Sequence, residues 1–185
     1  MKTLIIFLLL ANFSVSLHSQ FKNIGIITGA GHTFVDIEKA IDWDDLEEWD
    51  YVGVIIKALG EYEFKNELIL YTEIGATRLY YWEYRWSDGY YSGFRFRSEW
   101  TTNLQVHLKK FLSDNWFIQA GPGIHIFNDG SGTVPGISAA AGYTAFLTDE
   151  ISIPVAARLE SVFGSGTPTS LLLTVGFNYD ISDLF

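Results

Sequence analysis

From about residue 20 onward the chain alternates. The last segment is the clearest: Leu171, Leu173, Val175, Phe177, Tyr179 and Ile181 interleave with Leu172, Thr174, Gly176, Asn178 and Asp180, a period of two over eleven residues. The stretch around 90–109 repeats the pattern. One face carries Phe94, Phe96, Trp100, Leu104, Val106 and Leu108, and the other Arg95, Arg97, Glu99, Thr101, Asn103, Gln105 and His107. A helix with that order would mix charge and aromatic rings on both faces. The alternation predicts eight strands, over 22–36, 51–64, 68–86, 90–109, 115–127, 134–147, 150–163 and 168–181. Tight turns at Phe64–Glu67, Leu112–Asn115 and Leu147–Glu150 alternate with open loops at Glu38–Asp50, Ser87–Gly89, Asn128–Thr133 and Gly164–Thr167. That order predicts an all-β, antiparallel, up-and-down barrel with both termini on the short-turn side. Each segment reaches the ~9–11 residues that a tilted strand needs to cross a bilayer. Soluble strands are usually ~5–6 residues long. No linker marks a second domain.

The first residues break the pattern. Lys2 precedes the apolar run Leu4–Ala11, and a small polar stretch follows to Gln20. This reads as a secretory signal peptide over 1–19, cleaved after Ser19, or after Ser16 with Ser14 and Ser16 at the −3 and −1 positions. The barrel domain is then 20–185. Composition narrows the function classes. The chain of 185 residues is 48% apolar and 16% aromatic but only 18% charged, with a formal net charge of −10. Removing Lys2 makes the mature charge −11. A binder of nucleic-acid phosphates needs clustered cations, so no nucleic-acid partner is expected. Without cysteine there is no disulfide, thiolate metal site or thiol nucleophile.

Alternation alone fits a soluble barrel with an apolar interior and a membrane barrel with an apolar exterior. The kinds of residue separate them. Trp82, Tyr84, Trp86, Trp100 and Trp116 belong to the apolar set, several of them near strand ends, as in an interfacial aromatic girdle. The polar set is rich in Gly, Ser and Thr and carries Lys57, Glu61, Glu63, Glu73, Glu83, Arg85, Arg95, Arg97, Glu99, Arg158 and Glu160, six acids against five bases. A narrow low-dielectric lumen requires such balance, because an unpaired buried charge is costly. An even register would set Glu83 beside Arg95 or Arg97. Arg78 shares parity with Ile74, Ala76 and Tyr80 and is placed on the lipid side at headgroup level. Strands 3 and 4 then extend past the membrane as a hairpin.

On this pattern the whole mature chain resembles the small eight-stranded outer membrane β-barrels of the OmpA/OmpX type. The closing amphipathic strand and terminal Phe185 fit the resemblance, although Asp183 departs from the alternation. The signal peptide, ending near Ser-Gln, looks like those of exported Bacteroidetes proteins. The resemblance implies an integral protein of a Gram-negative outer membrane, with a side-chain-filled interior and a structural, adhesive or partner-binding role.

The loop over 38–50 carries seven acids against one lysine: Glu38, Asp42, Asp44, Asp45, Glu47, Glu48 and Asp50, with Trp43 and Trp49 among them. It lacks the spacing of a dedicated calcium loop and reads as a solvated external segment, or as a contact for another envelope protein. The strand 3–4 hairpin is the other candidate contact. Two alternatives compete: an enzyme acting on outer-membrane lipid, as the lipid A deacylase barrels do, and a soluble exported lipocalin-like carrier. The enzyme would need His32, His107 or His125. By parity His125 faces the lumen, with no Ser at the deacylase spacing, and His32 has Asp36 but no Ser nearby. The expectation is therefore no catalysis, no cofactor and no metal. Gly121-Pro122-Gly123 lies within a strand and is no nucleotide loop.

Overall fold

A computed structural model describes residues 20–34, 52–64, 67–86, 92–128, 132–163 and 168–182, with side chains described for all of these except 20, 80–86 and 92–97. The signal-peptide reading over 1–19, the acidic loop with Asp42 to Asp50, and Phe185 lie outside the described residues. The eight strands are β1 Gln20–Phe34, β2 Val52–Glu63, β3 Leu68–Trp86, β4 Ser92–Phe111, β5 Trp116–Phe127, β6 Thr133–Phe146, β7 Ile151–Val162 and β8 Thr169–Asp180. Each pairs antiparallel with its neighbour in sequence, and β1 closes on β8 from Asn23↔Asp180 to Phe34↔Thr169. Closure leaves no edge along the wall.

The connections have local causes. The turns 64–67, 112–115 and 147–150 are four residues each, and their closing bonds run from Phe64 N to Leu68 O (2.8 Å), Leu112 N to Trp116 O (2.7 Å) and Leu147 N to Ile151 O (2.9 Å). The hydroxyls of Ser113 and Thr148 accept from Trp116 N and Ile151 N, the local side-chain bonding that favours turns over ladder. Glu67 supplies the positive φ of 63° that closes the first turn. Two ladders are interrupted beside a proline, which has no N–H to give. One gap lies opposite Pro122, between Gln105↔Gly123 and Leu108↔Ala120. The other lies at Pro154, between Ser152↔Asn178 and Val155↔Val175.

The registers fix the stagger. Starting at Asn23, the registers lead through Glu61, Tyr71 and His107, across the gap to Gly121, which stands level with His107, and on through Ser138, Glu160 and Ser170 back to β1 at Thr33, ten residues further on. Such a shear tilts the strands and leaves eight of them an interior only wide enough for side chains. β3 and β4 outrun the rest. The β2–β3 ladder ends at Val54↔Arg78 and the β4–β5 ladder at Thr101↔Phe127, while β3 and β4 continue to pair as far as Trp86↔Ser92. The long-loop end therefore carries a two-stranded extension.

The two faces separate cleanly. Outward stand Ile26 (64% exposed), Ile74, Leu104, Ile118, Leu171 and Leu173 (65% exposed); inward stand Lys57, Glu73, Gln105, His125, Arg158 and Glu160, all at or near full burial. A water-facing protein would show the reverse.

Candidate functional site

The lumen holds the chemistry. Its middle is built around Arg158 of β7, which reaches across to Glu73 of β3. Nη1 donates to Oε1 at 2.7 Å and Nη2 to Oε2 at 2.6 Å, the two-pronged geometry of the strongest ion pairs. Arg158 Nη2 also lies 2.6 Å from Gln105 Oε1 on β4, and Nε lies 3.3 Å from Glu160. Lys57 of β2 completes the cluster, with Nζ 3.2 Å from Glu160, 3.4 Å from Glu73 and 2.9 Å from Gln105 Oε1. His125 of β5 stands 3.7 Å from the other oxygen of Glu160. His107 shares a hydrogen bond with Ser138 beside the same guanidinium.

Space for Arg158 comes from the small inner faces of β5 and β6. Gly121, Gly123, Gly136, Ala140 and Gly142 face inward there. A Cβ on Gly121 would lie 1.9 Å from the Val106 carbonyl oxygen and 2.7 Å from His107 Cα, both backbone atoms of β4. The strands approach too closely at that point for any other residue.

A second layer lies nearer the short turns. Lys109 donates to Glu61 at 2.5 Å, and Asn23 Nδ2 donates to the other oxygen of Glu61 at 2.5 Å. The Lys109 ammonium also sits 4.6 Å from the ring centre of Phe117, 5.0 Å from Phe111 and 5.5 Å from Tyr71, so its charge is met by a carboxylate and three π-faces. At the rim Lys22 pairs with Glu63 at 2.5 Å. Towards the long loops the filling turns to short polar and aliphatic groups. Thr33 and Ser170 share a hydrogen bond of 2.8 Å, Asn103 donates to Thr77, and Ile55, Leu79, Val162 and Leu172 are buried.

Among the described residues the fully enclosed charges match: Lys57, Lys109 and Arg158 against Glu61, Glu73 and Glu160. The register places Glu83 opposite Arg95, Arg85 opposite Gly93, Tyr81 opposite Arg97 and Leu79 opposite Glu99. Leu79 is still buried at the lumen mouth, while the pairs from Tyr81↔Arg97 onward lie on the extension, above the last level at which all eight strands meet. Trp82, Tyr84 and Trp86 lie on the same extension. Trp100 is outward and partners Arg78 in the ladder, and Arg78 Nη2 donates to Ser98 Oγ at 3.1 Å. Trp116 is outward at the opposite rim, its ring edge-on to Tyr143 with centroids 5.4 Å apart.

Sequence reasoning missed Lys109 as a network member, although it shares parity with Gln105 and His107. It also missed Gln105 and Ser138 as the groups that accept the remaining guanidinium and ammonium protons. Among the described residues no group of His, Asp and Glu has the arrangement to hold a metal.

No known protein family matches the sequence. No curated protein matches it either. Solved structures do. Neisserial surface protein A (NspA) has a TM-score of 0.56 at 12% identity, covering 88% of this chain and 99% of that one. OprG from Pseudomonas aeruginosa has a TM-score of 0.50 at 11% identity, covering 88% and 97%. Identities this low speak for the fold alone. The chain has the fold of a small eight-stranded outer membrane β-barrel, and the outer membrane is where such a wall belongs.

Proposed function

We propose that this protein is a non-enzymatic outer membrane barrel with a lumen plugged by its own side chains, acting through what it presents outside. One observation carries the reading: Arg158–Glu73 and Lys57–Glu160 span the interior between non-adjacent strands with side chains at 0–1% exposure. A hydrated channel would leave these groups wet. In planar bilayers the purified protein is expected to give no steady conductance; large ohmic steps would overturn the plug.

By the usual rule for such barrels the short turns face the periplasm and the long loops the outside. The presented parts are then the acidic loop and the β3–β4 extension. Among the described residues no other strand pairs with the ladder edges of the extension, an arrangement suited to strand addition by a partner. This supports docking of another envelope protein at the long-loop end.

The histidine placement argues against lipid chemistry. His107 and His125 both point into the lumen, away from acyl chains, and the His107–Ser138 pair is enclosed there. His32 is the outward one, edge-on to Phe34 at 4.8 Å between ring centres. Lipid A from cells making the wild type or the His32→Ala protein is expected to carry the same acyl chains. A difference between them would replace this reading with the enzymatic one.

A further inference from the structure

We propose that the outer wall carries a cradle for one acyl chain of a periplasmic-leaflet phospholipid, with Lys110 at its phosphate. The inference rests on the wall facing lipid and adds a specific site to it. A groove of about 650 Å³ crosses the outside of β4 to β8. Ala120, Ala139, Ala141 and Ala157 face outward along it, and Leu108 and Leu159 stand above that floor on either side. Elsewhere the small outward residues stand beside large ones, Ala58 between Ile26 and Ile74 and Ala30 between Val54 and Leu173, whereas here Ala120 pairs with Ala139 and Ala141 with Ala157, so the adjoining alanines open a hollow.

The groove follows the ladder row Lys110↔Ile118, Ile118↔Ala141 and Ala141↔Ala157 and ends on β8 at Leu171. Because the strands are staggered, that row climbs. Lys110 is one residue from the short-turn end of β4, Ile118 two from that of β5, Ala141 five from that of β6 and Ala157 six from that of β7. Four interstrand spacings carry the row ~19 Å along the wall. At the usual strand tilt it rises through roughly half of the ~25 Å apolar band, the depth of one leaflet.

The foot of the groove supplies the polarity of a headgroup site. Lys110 is outward and exposed, set in the ladder between Leu68 and Ile118. The Trp116–Tyr143 pair stands beside it, the residue types that settle at headgroup level. A phospholipid satisfies both ends at once: its phosphate meets the ammonium, and its chain fills the hollow. The wall of a second barrel would supply large apolar side chains opposite Lys110 and no anion.

The test is native mass spectrometry of the intact detergent-solubilised barrel, titrated with dipalmitoyl phosphatidylglycerol. Each variant is first shown to keep its heat-modifiable folded band. The wild type is expected to retain one lipid more tightly than the rest. Lys110→Gln should weaken that lipid by about fivefold, the worth of one cation at an anionic headgroup. Ala139→Phe fills the groove and should abolish the tight site, while Ile74→Phe, on the opposite side of the wall, should leave it unchanged. Equal retention by all four proteins would overturn the cradle while leaving the membrane reading intact. So would a wild-type dimer that Ala139→Phe converts to monomer, since the occupant is then a second copy. A barrel that stays in solution without detergent would overturn the lipid-facing wall itself, and the cradle with it.

Discussion

Replacing Arg158 by Met is expected to lower the unfolding free energy of the barrel in lipid vesicles by about 3–5 kcal/mol, the usual cost of breaking a buried pair by removing one partner. Arg158 gives two short bonds to Glu73 and a third contact to Glu160. Without it, the two enclosed carboxylates share Lys57 as their one permanent cation, with the His125 imidazole 3.7 Å from Glu160. Both carboxylates are enclosed, so bulk solvent does not compensate for the lost cation. The double substitution Arg158→Met with Glu73→Met should recover much of the loss, because it leaves Lys57 and Glu160 as a matched pair 3.2 Å apart. Urea titration of the two single variants and the double variant measures the coupling directly. Simple addition of the two single effects would show that the pair does not act across the lumen. The same cycle on Lys109 and Glu61 is complicated by the three rings around that ammonium, which keep part of its stabilisation when the carboxylate is gone.

The second large effect belongs to the other face. Leu104→Arg is expected to cost about 2–4 kcal/mol in vesicles, the penalty of a guanidinium near the bilayer midplane. Leu104 is outward, seven residues from the short-turn end of β4, between Ile74 and Ile124 in the ladder. Trp116→Arg, at the rim, should cost only about 0–1 kcal/mol on the same scale. The contrast between the two positions separates lipid from water, since a solvent-facing wall would accept an arginine equally at both. An unchanged urea midpoint for Leu104→Arg would sink the orientation on which the membrane reading stands.

How much of this was legible beforehand follows from what alternation can report. Strand β8 shows the strong case: from Leu173 on, its odd positions are aliphatic or aromatic and its even ones small or polar, so parity assigned the faces at once. Leu172 shows the weak case. It is apolar and yet inward, buried near the long-loop end as Ile55 and Val162 are, and parity holds there only because its neighbours in sequence impose it. The charges of the extension show a third. Glu83, Arg85, Arg95 and Arg97 have the parity of lumen residues, but parity cannot tell where β2 and β5 stop. The opposition of Glu83 and Arg95 was predictable, because a hairpin's register follows from its own turn. The partnership of Arg158 with Glu73, 85 residues away in sequence, was not.

The chain by itself therefore determined the local things: where strands run, where they turn, which side of each is greasy, and that a bilayer-length cylinder results. These depend on neighbours one to four residues apart. The tertiary structure alone decided the stagger of ten around the ring. That stagger sets which inward residue of one strand stands level with which of another. It brings Arg158 to Glu73, leaves Lys109 among three aromatic rings and aligns four alanines into a rising groove on the outer wall. Interior charges find their counter-ions across the width of the barrel, and that distance is set by closure, which no local pattern encodes.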